Sequence, residues 1–138
     1  MPFAPIRILV VDDFAPWRHF VHSLLKSHAE LQFVGEVADG LEAVQRAEEL
    51  HPDLILLDIG LPGLNGIEAA ERIYQLVPDT TILFLSMNGG ADLVRAALDA
   101  NAKGYVLKAD AGGELWSGIE AVLNGKRYVS RGGRWKSS

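Results

Sequence analysis

The chain has 138 residues, which suits one compact core and is too short for two. With 49% apolar and 22% charged residues it has the composition of an ordinary globular protein; no apolar run approaches the roughly 18 residues of a membrane span, and no basic-then-apolar leader opens it. The absence of cysteine excludes disulfide and thiol chemistry and leaves the cytoplasm as the expected location, while the net charge of -5 argues against a nucleic-acid surface on the body of the domain.

The first predicted element is a strand over Ile6–Val11, followed at once by Asp12 and Asp13. A helix over Pro16–His28 comes next, with Trp17, Val21, Leu24 and Leu25 on one stripe. Leu31–Val37 reads as a second strand, and Asp39-Gly40 opens a helix to Leu50 whose stripe is Ala43, Val44, Ala47 and Leu50. The third strand, Asp53–Leu57, runs into Asp58. The helix over Asn65–Val77 has Asn65 as cap and Glu68 as capping-box partner, and Pro78-Asp79 closes it. A fourth strand, Thr80–Leu85, ends at Ser86, and a helix carrying Leu93, Ala96, Ala97 and Ala100 follows. The fifth strand, Gly104–Leu107, contains Tyr105 and ends at Lys108. The last helix carries Leu115, Ile119 and Val122 and closes at Asn124-Gly125.

The strands are continuous apolar runs, as expected for strands buried on both faces. Five strand–helix units in strict alternation predict an α/β doubly wound parallel sheet with helices on both sides. The ligand site of such a sheet lies outside the carboxyl ends of its strands. There the sequence places three carboxylates (Asp12, Asp13, Asp58), a hydroxyl (Ser86) and an ammonium (Lys108). Three carboxylates at one edge repel one another unless a cation sits between them, and Mg²⁺ suits oxygen ligands of this kind. With one carboxylate as nucleophile, the set fits phosphoryl transfer, which needs mainly positioning and charge neutralisation. Singly, each of these residues would be read as a cap, a turn residue or a solvated charge.

Together they carry a resemblance. The runs Ile6–Asp13, Pro52–Gly66, Leu85-Ser86-Met87 and Gly104–Lys108 resemble the receiver domains of bacterial two-component response regulators, and the likeness covers about residues 6 to 125. The runs Phe33–Gly40 and Asn124–Ser130 are further similar to the subfamily in which a LuxR/NarL-type helix-turn-helix follows the receiver. The resemblance implies a flavodoxin-like (βα)5 fold with five parallel strands in the order 2-1-3-4-5. It implies that Asp58 accepts the phosphoryl group from a histidine kinase. Mg²⁺ would be held by Asp13 directly, by Asp12 through water, by Asp58 and by the backbone carbonyl of Gly60. Lys108 would pair with the phosphoryl oxygens. Ser86 would move to hydrogen-bond that group, and Tyr105 would swing inward into the space it vacates. Pro62 and Gly66 would shape the loop after Asp58, and Gly60, Met87 and Asn88 would line or tune the reaction centre. The output would be a changed surface on the fourth helix, fifth strand and fifth helix, with homodimerisation on phosphorylation. DNA would be reached only through an output domain absent from this chain.

The receiver is expected over 1–125, with 126–138 as a basic linker or tail. All 18 acidic residues lie at or before Glu120, whereas Lys126, Arg127, Arg131, Arg134 and Lys136 follow it. Phe14 stands where the resemblance leads one to expect a polar residue. Gly60, Gly63 and Gly66 make no dinucleotide or Walker motif. His19, His22 and His28 lack a third partner at metal spacing and read as surface residues, and Trp17 and Trp116 read as packing residues. A Mg²⁺-dependent phosphohydrolase with an Asp nucleophile usually has a second acid two residues on, where this chain has Gly60. The domain is therefore expected to accept a phosphoryl group without being a turnover enzyme. A stand-alone or phosphorylation-independent receiver is the alternative.

Overall fold

A computed structural model of the chain describes residues 5–133. Six strands form one sheet: β1 (Ile6–Val11), β2 (Leu31–Val37), β3 (Leu54–Asp58), β4 (Thr81–Ser86), β5 (Gly104–Leu107) and β6 (Tyr128–Val129). Their order is β2-β1-β3-β4-β5-β6, and every pairing is parallel. The helices are α1 (Ala15–Leu25), α2 (Gly40–Leu50), α3 (Gly66–Leu76), α4 (Ala91–Asp99) and α5 (Ala111–Leu123). The flavodoxin-like order expected for the first five strands is the one observed.

The pleat sorts the core into two layers. Leu9, Val11, Ile55, Leu57, Ile82 and Phe84 pack with Ala43 and Ala47 of α2, Ala70 and Ile73 of α3, and Val94 and Ala97 of α4. The alternate residues Ile8, Val10, Leu54, Leu56, Leu83 and Leu85 pack with Val21 and Leu25 of α1 and with Leu115, Ile119 and Val122 of α5. Both faces are covered, which is why the strands read as unbroken apolar runs. No helix among the described residues is long and apolar enough to cross a membrane.

Local signals set most boundaries. Asp39 caps α2 by accepting from the Glu42 N–H, and Asn65 caps α3 by accepting from the Glu68 N–H at 3.0 Å. Glu68 answers to the Asn65 side-chain amide rather than to its backbone, so only half of a capping box forms. The first helix ends at Leu25, and His28 lies in the turn beyond it.

The main addition is β6. Tyr128 and Val129 pair with Gly104 and Tyr105, and Ser130 behind them is fully buried. Tyr128 and Val129, between Arg127 and Ser130, are too short a run to read as a strand. What holds them is polar: Ser130 Oγ donates to Asp110 at 2.7 Å and accepts from the Leu107 N–H at 2.9 Å, while the Tyr128 hydroxyl donates to Glu114 at 2.5 Å. The segment expected to be linker from 126 thus opens docked against the sheet. Arg134 and Lys136 lie outside the described residues.

Candidate functional site

Strand register builds the site. Val11 pairs with Leu57, Asp58 with Leu85, and Ser86 with Leu107. The residues that follow these pairs, Asp12, Asp58, Ser86 and Lys108, therefore leave neighbouring strands at one edge. Together they line a cleft of about 420 Å³ whose rim includes Asp13, Phe14, Gly60, Met87 and Asn88. A larger groove of about 750 Å³ between α4 and β6 holds Arg95, Asp99 and Arg127 but none of the cleft's carboxylates.

The electrostatics are unbalanced. Carboxylate oxygens of Asp12, Asp13 and Asp58 lie within 4.8 Å of one another, and Asp12 and Asp58 are buried. Asp12 accepts from the Phe14 N–H at 2.9 Å and from Lys108 Nζ at 2.7 Å. Lys108 stands 3.8 Å from Asp58. Burial, then the Asp12 charge, pushes the Asp58 carboxyl above its ordinary range, while Lys108 and the Gly60 N–H pull it back and Asp13 adds to the rise. Two buried carboxylates share one ammonium, so the donor set has the oxygen chemistry and the surplus negative charge that fit a hard divalent cation. No sulfur or imidazole intrudes among the clustered ligands.

On the other side of Asp58, Ser86 Oγ accepts from the Asn88 N–H at 3.1 Å, and the Asn88 side chain accepts from the Gly90 N–H. The Tyr105 hydroxyl donates to the Asn88 carbonyl, and the ring is fully buried. Its hydroxyl is pushed up chiefly by burial and further by the Asp58 charge, against a hydrogen bond with Ser86. The inward seat expected for Tyr105 after Ser86 moves is filled while Ser86 still bonds Asn88. Met87 is 86% exposed at the rim.

The loop after Asp58 closes tightly. A Cβ on Gly66 would lie 2.1 Å from the Asp58 carbonyl oxygen, so only glycine lets α3 start against the strand end, where its N–H donates to the Ile59 carbonyl. Pro62 sits exposed in this loop beside Gly63, whose φ is +72°. A Cβ on Gly60 would meet nothing within 4 Å, which leaves that position free to vary. The contact seen for Gly60 is its N–H on Asp58.

Two residues of α1 belong to the site although the sequence reading left them out. Arg18 donates to the Asp12 carbonyl at 2.5 Å and to Glu36 at 2.9 Å, tying the end of β1 to β2. Trp17, read as packing alone, also lies under Lys108, with Nζ 5.0 Å from its ring. Their signal was position: α1 begins two residues after Asp13, so its first turn stays beside the strand ends. Of the histidines in this region, His22 meets the Phe33 ring and His28 stacks on Trp116.

Residues 8–120 match the model of the response regulator receiver domain family. The chain is 32% identical over 126 residues to the nitrate/nitrite response regulator protein NarL of Escherichia coli K12, covering 91% of this chain and 58% of that one. It is 38% identical over 132 residues to a protein-glutamate methylesterase/protein-glutamine glutaminase of Alkalilimnicola ehrlichii, covering 94% of this chain and 34% of that one. Among solved structures, a LuxR-family two-component response regulator from Aurantimonas sp. SI85-9A1 superposes with a TM-score of 0.89 at 35% identity, over 94% of this chain and 93% of that one. The chain thus spans only part of the curated relatives it matches.

Proposed function

Because the chain belongs to the response regulator receiver family, we propose that it is a phosphoacceptor switch in which Asp58 takes a phosphoryl group from a histidine kinase with the help of Mg²⁺. The observation that carries this reading is the meeting of Asp12, Asp13, Asp58 and Lys108 at one sheet edge, with the carboxylates short of positive charge. Asp58 is the nucleophile: a carboxylate oxygen forms the bond to phosphorus as the bond from phosphorus to the donor breaks, and a histidine donor leaves with its electron pair and takes up a proton. Asp12, Asp13, Asp58 and the Gly60 carbonyl would hold Mg²⁺. Bound there, the ion supplies charge neutralisation for the incoming phosphoryl oxygens. Lys108 lies near enough to Asp58 to pair with those oxygens on leaving Asp12. Ser86 turns its hydroxyl from Asn88 to the same group. Asn88, freed from Ser86, remains tied to Tyr105 and passes the change into β5.

The output is a shift in the α4–β5–α5 face, with homodimerisation as one consequence. The receiver, expected over 1–125, takes in β6 as well, and the sequence after it leads toward an output domain of the LuxR type, the only part that would meet DNA. The chain accepts phosphoryl stoichiometrically and is not a turnover enzyme.

Intact mass after incubation with acetyl phosphate tests the proposal on the parent and on Asp58→Asn. The expected result is a single phosphoryl adduct that requires Mg²⁺ and appears on the parent alone. An equal adduct on the variant would move the acceptor elsewhere. None on a folded, Mg²⁺-binding parent would favour a phosphorylation-independent receiver.

A further inference from the structure

We propose that Trp17 is a positioning residue that seats the Lys108 ammonium in the gap between Asp12 and Asp58; this rests on the reading of Lys108 as the phosphoryl-pairing cation. A lysine is a point charge on a four-carbon stem and does not fix its own position. Here the charge is confined from two sides. Asp12 lies 2.7 Å away and Asp58 3.8 Å away. The indole lies 5.0 Å away, within the range of a cation–π contact. The ring is held in turn by Phe20, whose ring lies 5.1 Å away, and the backbone that carries it is tied by the Trp17 main-chain N–H, which donates to the Phe14 carbonyl at 3.0 Å.

Packing does not account for a tryptophan at this position. Its Nε1 is buried and has no hydrogen-bond partner. A buried N–H without a partner is costly, and a leucine would fill the space without one. What a leucine lacks is a π face for the ammonium. Held against that face, Lys108 has one short path, from Asp12 toward Asp58, along which to follow an arriving phosphoryl group.

The test has two arms. In ¹H–¹³C NMR of the parent, the Lys108 ε-methylene protons, identified among the five lysines by Lys108→Arg, should lie upfield of the rest through the indole ring current. They should return to the ordinary lysine position in Trp17→Leu. In the second arm, acetyl phosphate with Mg²⁺ should phosphorylate Trp17→Leu about three- to tenfold more slowly than the parent, and Trp17→Phe, which keeps a ring face, within about twofold. A general packing defect would move melting temperatures without separating the two variants in this way. If Trp17→Leu does not fold, the parent spectrum and Trp17→Phe decide. An unshifted Lys108 resonance in the parent, or a parent-like rate in Trp17→Leu, overturns the proposal. A parent that takes no phosphoryl group overturns the phosphoacceptor reading instead, and the NMR arm still decides the seat.

Discussion

Two carboxylate clusters lie close to the C-terminal end of β5, and they are satisfied in opposite ways. In the cleft, Asp12, Asp13 and Asp58 face one another, and one ammonium serves both Asp12 and Asp58. At the tail, Asp110 accepts from Ser130 Oγ and the Gly132 N–H, each at 2.7 Å, while Glu114 accepts from the Tyr128 hydroxyl and the Arg131 N–H. The first cluster sets charge against charge and is left wanting a cation. The second sets charge against neutral donors and is complete as folded. Residue type does not distinguish a binding site from a clamp; the partners each carboxylate finds do. Tyr105 joins the regions, with its hydroxyl on Asn88 at the cleft and its carbonyl accepting from Ser130 at the tail.

If the contrast is sound, removing a carboxylate should have opposite signs in the two places. The largest effect is expected at the tail. Asp110→Ala leaves the buried Ser130 hydroxyl and the Gly132 N–H without their acceptor, and should lower stability by about 2 kcal/mol. Urea unfolding with the slope unchanged measures it. A loss below about 0.5 kcal/mol, the level of an ordinary surface change, would mean that β6 rests on the sheet without being clamped.

The two regions were also unequally legible in the sequence. The cleft announced itself because each of its main residues follows a strand-length apolar run, and parallel register then carries all of them to one edge. The clamp did not, because Ser130 and Tyr128 lie in a short basic, glycine-bearing stretch and their acceptors, Asp110 and Glu114, precede them by 20 and 14 residues. Tertiary hydrogen bonds at that separation leave no periodicity to read. Trp17 and Arg18 fell between these cases. Their helix was evident from its stripe, but the stripe shows which residues pack inward and says nothing of which lean on a neighbouring ammonium or carbonyl.

In the cleft the sign should reverse. Asp13→Asn removes one of three mutually repelling charges at an exposed position. The metal-free protein should therefore melt about 3 °C higher, while Mg²⁺ binding weakens, read as a loss of the fluorescence change expected of Trp17. Metal-free melting equal to or below that of the parent would show that Asp13 is already relieved by solvent. The imbalance would then belong to Asp12 and Asp58 alone.

The smallest effect isolates that buried pair through pH. Burial and Asp12 raise the folded-state value of Asp58 above its ordinary 3.8. A carboxyl raised on folding favours the protonated folded state. Its contribution to stability is fully present below the ordinary value and is lost as pH rises through the raised one. The metal-free parent should therefore lose ground to Asp58→Asn as pH rises from about 4 toward neutrality, with the two melting temperatures drawing together at the acid end. Saturating Mg²⁺ should abolish the parent's disadvantage at neutral pH, because bound cation stabilises the ionised site that the variant lacks. Parallel melting curves across the range would mean that Lys108 and the Gly60 N–H already neutralise Asp58 as completely as hydrogen-bond donors do Asp110. The cleft would then be a second clamp and not a site held ready for a cation.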